Sequence, residues 1–258
     1  MKFLLNMPII NKKVNQKICE QVMNAFGGNF YEIIIGGAAF NQEVETFLKK
    51  IEFPYTVGYG ATECAPIICY SNYKDFVTGS CGRAVIHMQV KIDSPDPQNI
   101  PGEILAKGMN VMLGYYKNEE ATRQAIDRDG WYHTGDLGTM DKEGNVFIKG
   151  RSKNMLLGSN GQNIYPEEIE DKLNSMIMVN ESLVIQQKDK FIGLVYPDYE
   201  EAKSMGLSNE DIENIMEQNR LNLNEELPSY CKLSAIRLHE EEFEKTPKKS
   251  IKRYLYQN

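Results

Sequence analysis

Gly58-Tyr59-Gly60-Ala61-Thr62-Glu63, directly behind the strand-like run Tyr55-Thr56-Val57, is the stretch on which the reading of this chain turns. Two glycines let a backbone come close to a flat ligand. Tyr59 offers an aromatic face, and Thr62 and Glu63 present oxygens. A carboxylate there suits Mg2+, which takes one or two carboxylates together with phosphate oxygens. The same residues also fit an ordinary glycine turn, and the stretch alone does not choose between the two.

Upstream, the run Tyr31–Ile35 meets Gly36-Gly37, and Asn41 caps a helix whose Val44, Phe47, Leu48 and Ile51 fall on one face. Before it, Val14, Ile18, Val22 and Phe26 recur every four residues, as one buried helix face would. Strand, helix, strand with glycines at the strand ends predicts part of a parallel α/β sheet. From about Gly79 to Lys149 the pattern is β-rich, with strands over Met88–Asp93, Gly102–Ala106 and Asn145–Lys149 and one helix capped by Asn118. After Arg151 it changes again. Pro166 opens a helix carrying Ile169 and Leu173, and strands follow at Leu183–Gln186 and Phe191–Tyr196. Ser208 begins a long helix with Asp211 at capping-box spacing and Ile212, Ile215, Met216 and Leu223 on one face. Leu233–Leu238 and a basic tail close the chain. The expected organisation is α/β, with one domain over residues 1–150 and a second, α+β, over 151–258.

Composition narrows the function. A net charge of −7 over 258 residues argues against a nucleic-acid binder. Cys19, Cys64, Cys69, Cys81 and Cys231 are scattered, with no C-x-x-C pair, which fits free thiols and a cytoplasmic protein. No run approaches the roughly 20 apolar residues of a membrane span.

Three further motifs carry chemistry. In Trp131-Tyr132-His133-Thr134-Gly135-Asp136 the aspartate can accept from both hydroxyls of a ribose, though a surface turn explains it equally. Lys149-Gly150-Arg151-Ser152-Lys153 sets a guanidinium where it could reach the same ribose, or marks a solvated linker. Gly158-Ser159-Asn160-Gly161-Gln162-Asn163-Ile164-Tyr165-Pro166 reads as a flexible polar loop that becomes a helix, suited to closing over a ligand.

In this order and spacing the four blocks, with Gly102-Glu103-Ile104 and Gly114-Tyr115-Tyr116, resemble the signature blocks of the adenylate-forming superfamily. That group contains acyl-CoA synthetases, luciferases and peptide-synthetase adenylation domains. Residues 163–170 and the ending Ile251-Lys252-Arg253-Tyr254-Leu255-Tyr256 look most like bacterial long-chain fatty acid–CoA ligases. The resemblance implies the C-terminal part of a large AMP-binding domain (a portion of parallel sheet and a β-rich subdomain) followed by a small mobile lid domain. It implies ATP/AMP, Mg2+ and CoA as cofactor and cosubstrates and a fatty acid as the carboxylate. Gly37 and Ala38 would border the adenylate and acyl pocket, Tyr59 and Gly60 the adenine, and Thr62 the α-phosphate, with Glu63 holding Mg2+. Asp136 and Arg151 would grip the ribose, with His133 beside that turn. Lys153 would be the hinge, and Asn160 and Gly161 would lie near the pantetheine thiol. Gly60 stands where acetate-using relatives carry a bulky tryptophan, which would leave an open channel for a medium or long acyl chain. Peripheral membrane contact and a homodimer are both compatible with such an enzyme.

Two departures stand against the resemblance. The family's Ser/Thr/Gly-rich phosphate loop and its Pro-Lys-Gly element have no counterpart in these 258 residues, so the chain alone is expected to be an inactive fragment, with residue 1 an internal boundary. In Thr246-Pro247-Lys248-Lys249-Ser250-Ile251, Ser250 takes the place of the adenylation lysine, and Lys249 stands one residue away. The other basic tail residues read as solvated, or as attracted to CoA phosphates. A ligase of an aryl acid or a carrier protein, and a non-catalytic nucleotide- or partner-binding relative, stay open beside the fatty acid–CoA ligase.

Overall fold

The computed structural model describes residues 8–158, 161–246 and 250–257. They fall into two units, one within residues 1–134 with 138–148 and one within residues 135–137 with 149–258.

The first unit opens with helix α1 (Pro8–Ala25) and a strand–helix–strand crossover: β1 (Ile33–Ile35), α2 (Gln42–Lys50) and β2 (Tyr55–Val57). The strands pair in parallel, with Ile33 opposite Tyr55 and Ile35 opposite Val57. Asn41 caps α2 by accepting from the Glu43 and Val44 amides at 3.0 Å. Leu48, Ile51, Phe53 and Tyr55 form the local core, with Ile18, Val22, Ile33 and Ile35 packed against it. The two helical faces read from the sequence are only half realised. Helix α1 ends before Phe26, which is 63% exposed, and Val44 and Phe47 on α2 are each 44% exposed. Periodicity identified the apolar stripe, but burial also requires an element laid against it.

Next come β3 (Tyr59–Gly60), β4 (Ile67–Tyr70) and β5 (Arg83–Ala84) in one antiparallel sheet. A four-stranded sheet follows, ordered β6 (Met88–Asp93), β7 (Gly102–Gly108), β8 (Tyr132–Met140) and β9 (Val146–Arg151), with the short helix α3 (Glu119–Ala125) between β7 and β8. Tyr59, Cys64, Ile68, Cys69, Ile104, Ala106 and Val146 share the core of this region. Asp136, for which a surface turn was the alternative explanation, lies instead inside the nine-residue strand β8, which begins at Tyr132. Its alternation of buried Tyr132, Thr134 and Asp136 with half-buried His133 and Gly135 is the two-residue period of a strand.

In the second unit β10 (Leu156–Leu157) and β11 (Asn163–Ile164) form a small antiparallel hairpin leading into α4 (Pro166–Asn174). The loop expected to be merely flexible is thus closed by bonds from Gly158 N to Gln162 O and from Gly161 N to Gly158 O, both 2.8 Å. Strand β12 (Val179–Gln187) pairs antiparallel with β13 (Lys190–Pro197), which pairs in parallel with β14 (Leu233–Leu238). Helices α5 (Tyr199–Met205) and α6 (Asn209–Glu226) make the crossover between β13 and β14, and the sequence reading missed α5. One sheet face packs Val184, Phe191, Val195 and Leu233 with Ile169, Leu173, Ile212, Met216 and Leu223 of the helices. The other packs Leu183, Ile185 and Ile192 with Phe243, Ile251 and Tyr256 of the tail. No helix of the described residues is long and apolar enough to cross a membrane, and all five cysteines are free thiols.

Candidate functional site

Each unit holds some of the residues singled out from the sequence. In the first unit, Gly37 and Ala38 are exposed behind β1, and the Gly58–Glu63 stretch follows β2. Tyr59 is 7% exposed, so most of the ring expected to offer a stacking face lies in the core. Gly60 has a local reason to lack a side chain. A Cβ there would stand 2.2 Å from the carbonyl oxygen of Pro66, so the residue does not by itself report the width of an acyl channel. Thr62 is exposed and begins a one-turn 3-10 helix, Thr62–Cys64.

Glu63 in that turn is held at both ends. Its backbone carbonyl accepts from Met112 N at 2.7 Å, and its Oε1 accepts from the Tyr115 hydroxyl at 2.8 Å. The hydrogen bond to Glu63 and then burial raise the Tyr115 phenol above its ordinary value. Burial first, and Glu63 second, raise the Tyr132 phenol further. Asn110 Nδ2 donates to the carbonyls of Cys64 at 2.6 Å and Ile67 at 3.0 Å, tying the same turn to the segment after β7. Sequence reading named Glu63 but neither Tyr115 nor Tyr132 as its partner, nor Asn110 as a brace of its turn. The signal available was Tyr115 and Tyr132 lying inside motifs already counted.

In the second unit, Asp136 and Arg151, fifteen positions apart, come together. Arg151 Nε donates to Asp136 Oδ1 at 2.8 Å, with the aspartate side chain 11% exposed and the arginine 55%. The surface-turn reading of the aspartate does not survive this, and the arginine, though largely in solvent, is not merely a linker charge. A buried carboxylate needs a partner, and the guanidinium supplies one while leaving much of its own surface to solvent. His133, expected beside that aspartate, instead places Nδ1 2.9 Å from Glu103 Oε2 and Nε2 3.8 Å from Asp127 Oδ2. Lys153 is exposed in a one-turn 3-10 helix, and Gly161 is exposed in the β10–β11 hairpin. Asn160 and Lys249 lie outside the described residues. Ser250 is exposed, and its backbone carbonyl accepts from Thr246 N at 2.8 Å.

The basic tail is not simply solvated. Lys245 pairs with Glu181 and Glu242, Lys252 pairs with Glu244 at 3.0 Å, and Arg253 pairs with Glu170.

Two family models match this chain. The AMP-binding enzyme model covers residues 5–116, and the AMP-binding enzyme C-terminal domain model covers residues 153–257. The chain belongs to the AMP-binding, adenylate-forming enzyme superfamily. Superfamily relatives include a long-chain-fatty-acid–CoA ligase of Gallus gallus, 31% identical over 73% of this chain and 25% of the relative. A 2-succinylbenzoate–CoA ligase of Bacillus cytotoxicus is 39% identical over 62% of this chain and 34% of its own length. A long-chain-fatty-acid–CoA ligase of Escherichia coli is 42% identical over 53% of this chain and 25% of its own. Among solved structures, the O-succinylbenzoate coenzyme A synthetase of Bacillus subtilis in complex with AMP matches with a TM-score of 0.74. At 22% identity it covers 94% of this chain, whereas the match spans 50% of that chain. The superfamily's α/β fold is therefore this chain's fold. The matches to curated relatives span about a quarter to a third of those relatives' length.

Proposed function

We propose that this chain supplies the ribose-contacting, metal-contacting and lid portions of an AMP-forming acid–thiol ligase that activates a fatty acid and transfers it to CoA. The observation that carries the reading is the Asp136–Arg151 pair, in which a buried carboxylate is oriented by a guanidinium at 2.8 Å. Such a carboxylate accepts from two vicinal hydroxyls, and the exposed arginine adds donors beside it.

The donor chemistry also fits the remaining groups. Glu63 and Thr62 offer hard oxygens at the exposed side of one turn, as Mg2+ requires. Bound there, Mg2+ would neutralise phosphate charge. In this reading Thr62 donates to the α-phosphate, Tyr59 and Gly60 border adenine, and Gly37 and Ala38 line the start of the acyl site. Attack of the fatty carboxylate on the α-phosphorus forms acyl-AMP and releases pyrophosphate. The CoA thiolate then displaces AMP. Lys153 is the hinge between the two steps, and Asn160 and Gly161 border the pantetheine arm. Fatty acids are favoured as substrates because two of the relatives named above are long-chain-fatty-acid–CoA ligases.

AMP binding tests the core of this reading. The 258-residue chain is expected to bind AMP by calorimetry, and Asp136→Asn to weaken binding at least about tenfold, the loss of charge-assisted bonds worth about 1.5–3 kcal/mol. Unchanged affinity would remove Asp136 from the site. Ser250 favours a second reading, a binder without turnover, since Lys245 and Lys252 are committed to carboxylates. Carboxylate-dependent pyrophosphate exchange separates the two, measured on a polypeptide that joins this chain to a phosphate loop. Exchange with fatty acids supports the ligase, and AMP binding without exchange supports the binder.

A further inference from the structure

Segment 110–115, to none of whose residues the sequence motifs gave a site role, grips the turn that carries Glu63. Asn110 Nδ2 reaches two carbonyls of residues 64 and 67, Met112 N reaches the Glu63 carbonyl, and the Tyr115 hydroxyl reaches Glu63 Oε1. Tyr115 is itself fixed from behind. Its amide donates to Thr122 Oγ1 at 2.9 Å, and that hydroxyl donates to Asn118 O at 2.8 Å at the start of α3. The approach is close enough that a Cβ on Gly114 would stand 2.8 Å from Thr122 Cγ2. A chain of contacts thus runs from the Asn118-capped helix through Thr122 and Tyr115 to one carboxylate oxygen.

We propose that Tyr115 is a positioning residue, which sets the orientation in which the Glu63 carboxylate meets a divalent cation. The inference rests on the reading of Glu63 as a metal-contacting residue. A half-buried glutamate can still sample more than one rotamer, and holding it in one lowers the entropy lost when a cation binds. A phenol donating to one oxygen is a charge-assisted bond that leaves the carboxylate further lone pairs. Partners of this kind typically change metal affinity by about 10–100-fold when removed. Tyr115 has the geometry for this and no packing need for its hydroxyl: the residue is 38% exposed, and the oxygen ends on a carboxylate.

The test titrates Mn2+ into the 258-residue chain with AMP present, followed by water-proton relaxation, alongside calorimetry of AMP without metal. Tyr115→Phe is expected to weaken Mn2+ binding about tenfold while leaving metal-free AMP affinity unchanged. Thr122→Val, which removes the oxygen that holds the Tyr115 amide, should give a smaller loss in the same direction. It also decides the matter if Tyr115→Phe does not fold. Glu63→Gln separates the two levels of the argument. If it abolishes Mn2+ binding while Tyr115→Phe or Thr122→Val binds like the unaltered chain, Tyr115 positions nothing and the Glu63 reading stands. If Glu63→Gln changes nothing, or the unaltered chain binds no Mn2+, the metal role of Glu63 falls and the inference falls with it. A loss in Tyr115→Phe that extends equally to metal-free AMP is the mark of a structural residue and overturns the proposal.

Discussion

The crossover β1–α2–β2 and the crossover β13–α5–α6–β14 are the same device, two parallel neighbouring strands joined through helix, and they are built to different depths. In the first, the strands have three residues each, and Ile34, Val44 and Phe47 are between 44% and 53% exposed. In the second, strands of eight and six residues lie over Ile212, Met216 and Leu223, none more than 2% exposed. Both helices show an apolar stripe. What differs is what each stripe faces, so stability should depend on neighbours far more than on the stripe itself.

The comparison breaks most readily at the second unit's buried charges. Arg253 pairs with Glu170 in a setting where both side chains are 13% or less exposed, and Arg253 also stands 3.8 Å from Glu167. Arg253→Ala leaves the buried Glu170 carboxylate without its ion-pair partner, held only by the Val184 amide at 2.6 Å, and should cost about 3–5 kcal/mol. Leu223→Ala, at a fully buried position, should cost about 2–5 kcal/mol. Phe47→Ser on α2, although it removes a larger apolar side chain, should cost much less, because nearly half of that residue is already in water. Urea unfolding followed by hydrogen exchange in each unit measures all three. Equal losses for Leu223→Ala and Phe47→Ser would end the contrast between the crossovers.

The same buried pair gives the second unit a pH signature. Burial raises the Glu170 carboxyl from 4.5 to about 7, although Arg253 and the Val184 amide pull it down. Burial, with Glu167 and Glu168, raises neighbouring Asp171 to about 6. A carboxyl more basic in the folded than in the unfolded state binds protons preferentially when folded. Its contribution therefore favours the folded state most below about 4.5 and declines as the pH rises through about 7. Glu170→Gln should flatten that part of the profile when urea midpoints are compared between pH 4.5 and 7. A slope that persists unchanged would assign it to other groups.

Much of this was legible from local chemistry. Asn41, Asn118 and Ser208 cap the helices assigned to them, because a cap needs only its own next three residues. Strands β6 and β14 begin and end at the residues read from the sequence. What the residues alone left open was decided by distant partners. Asp136, expected at a ribose but equally explained by a surface turn, is buried in β8 and met by Arg151, and Arg253, read as solvated or drawn to CoA phosphates, pairs with Glu170 of α4. Tyr115 and Glu63 are 52 positions apart, and no spacing rule links them. The motifs marked out the site residues, and the pairings between them came only with the fold.

The smallest effect probes the second crossover at its start. Ser208 accepts from the Asp211 amide at 3.2 Å, and Asp211 Oδ2 accepts in return from the Ser208 amide at 2.8 Å, a reciprocal box at the head of α6. Ser208→Ala removes one arm and leaves a helix donor to water, at a cost of about 1 kcal/mol. Because Ile212 and Met216, one and two turns on, are buried, the loss should reach the whole sheet–helix layer and not merely fray the end. Urea midpoints and amide exchange in residues 209–216 distinguish those outcomes. A shift of about 1 kcal/mol shared by α6 and β14 means that the cap and the core act as one cooperative unit. Faster exchange confined to the first turn, with an unchanged midpoint, would mean that packing alone holds α6 and that the depth of this crossover owes nothing to its cap.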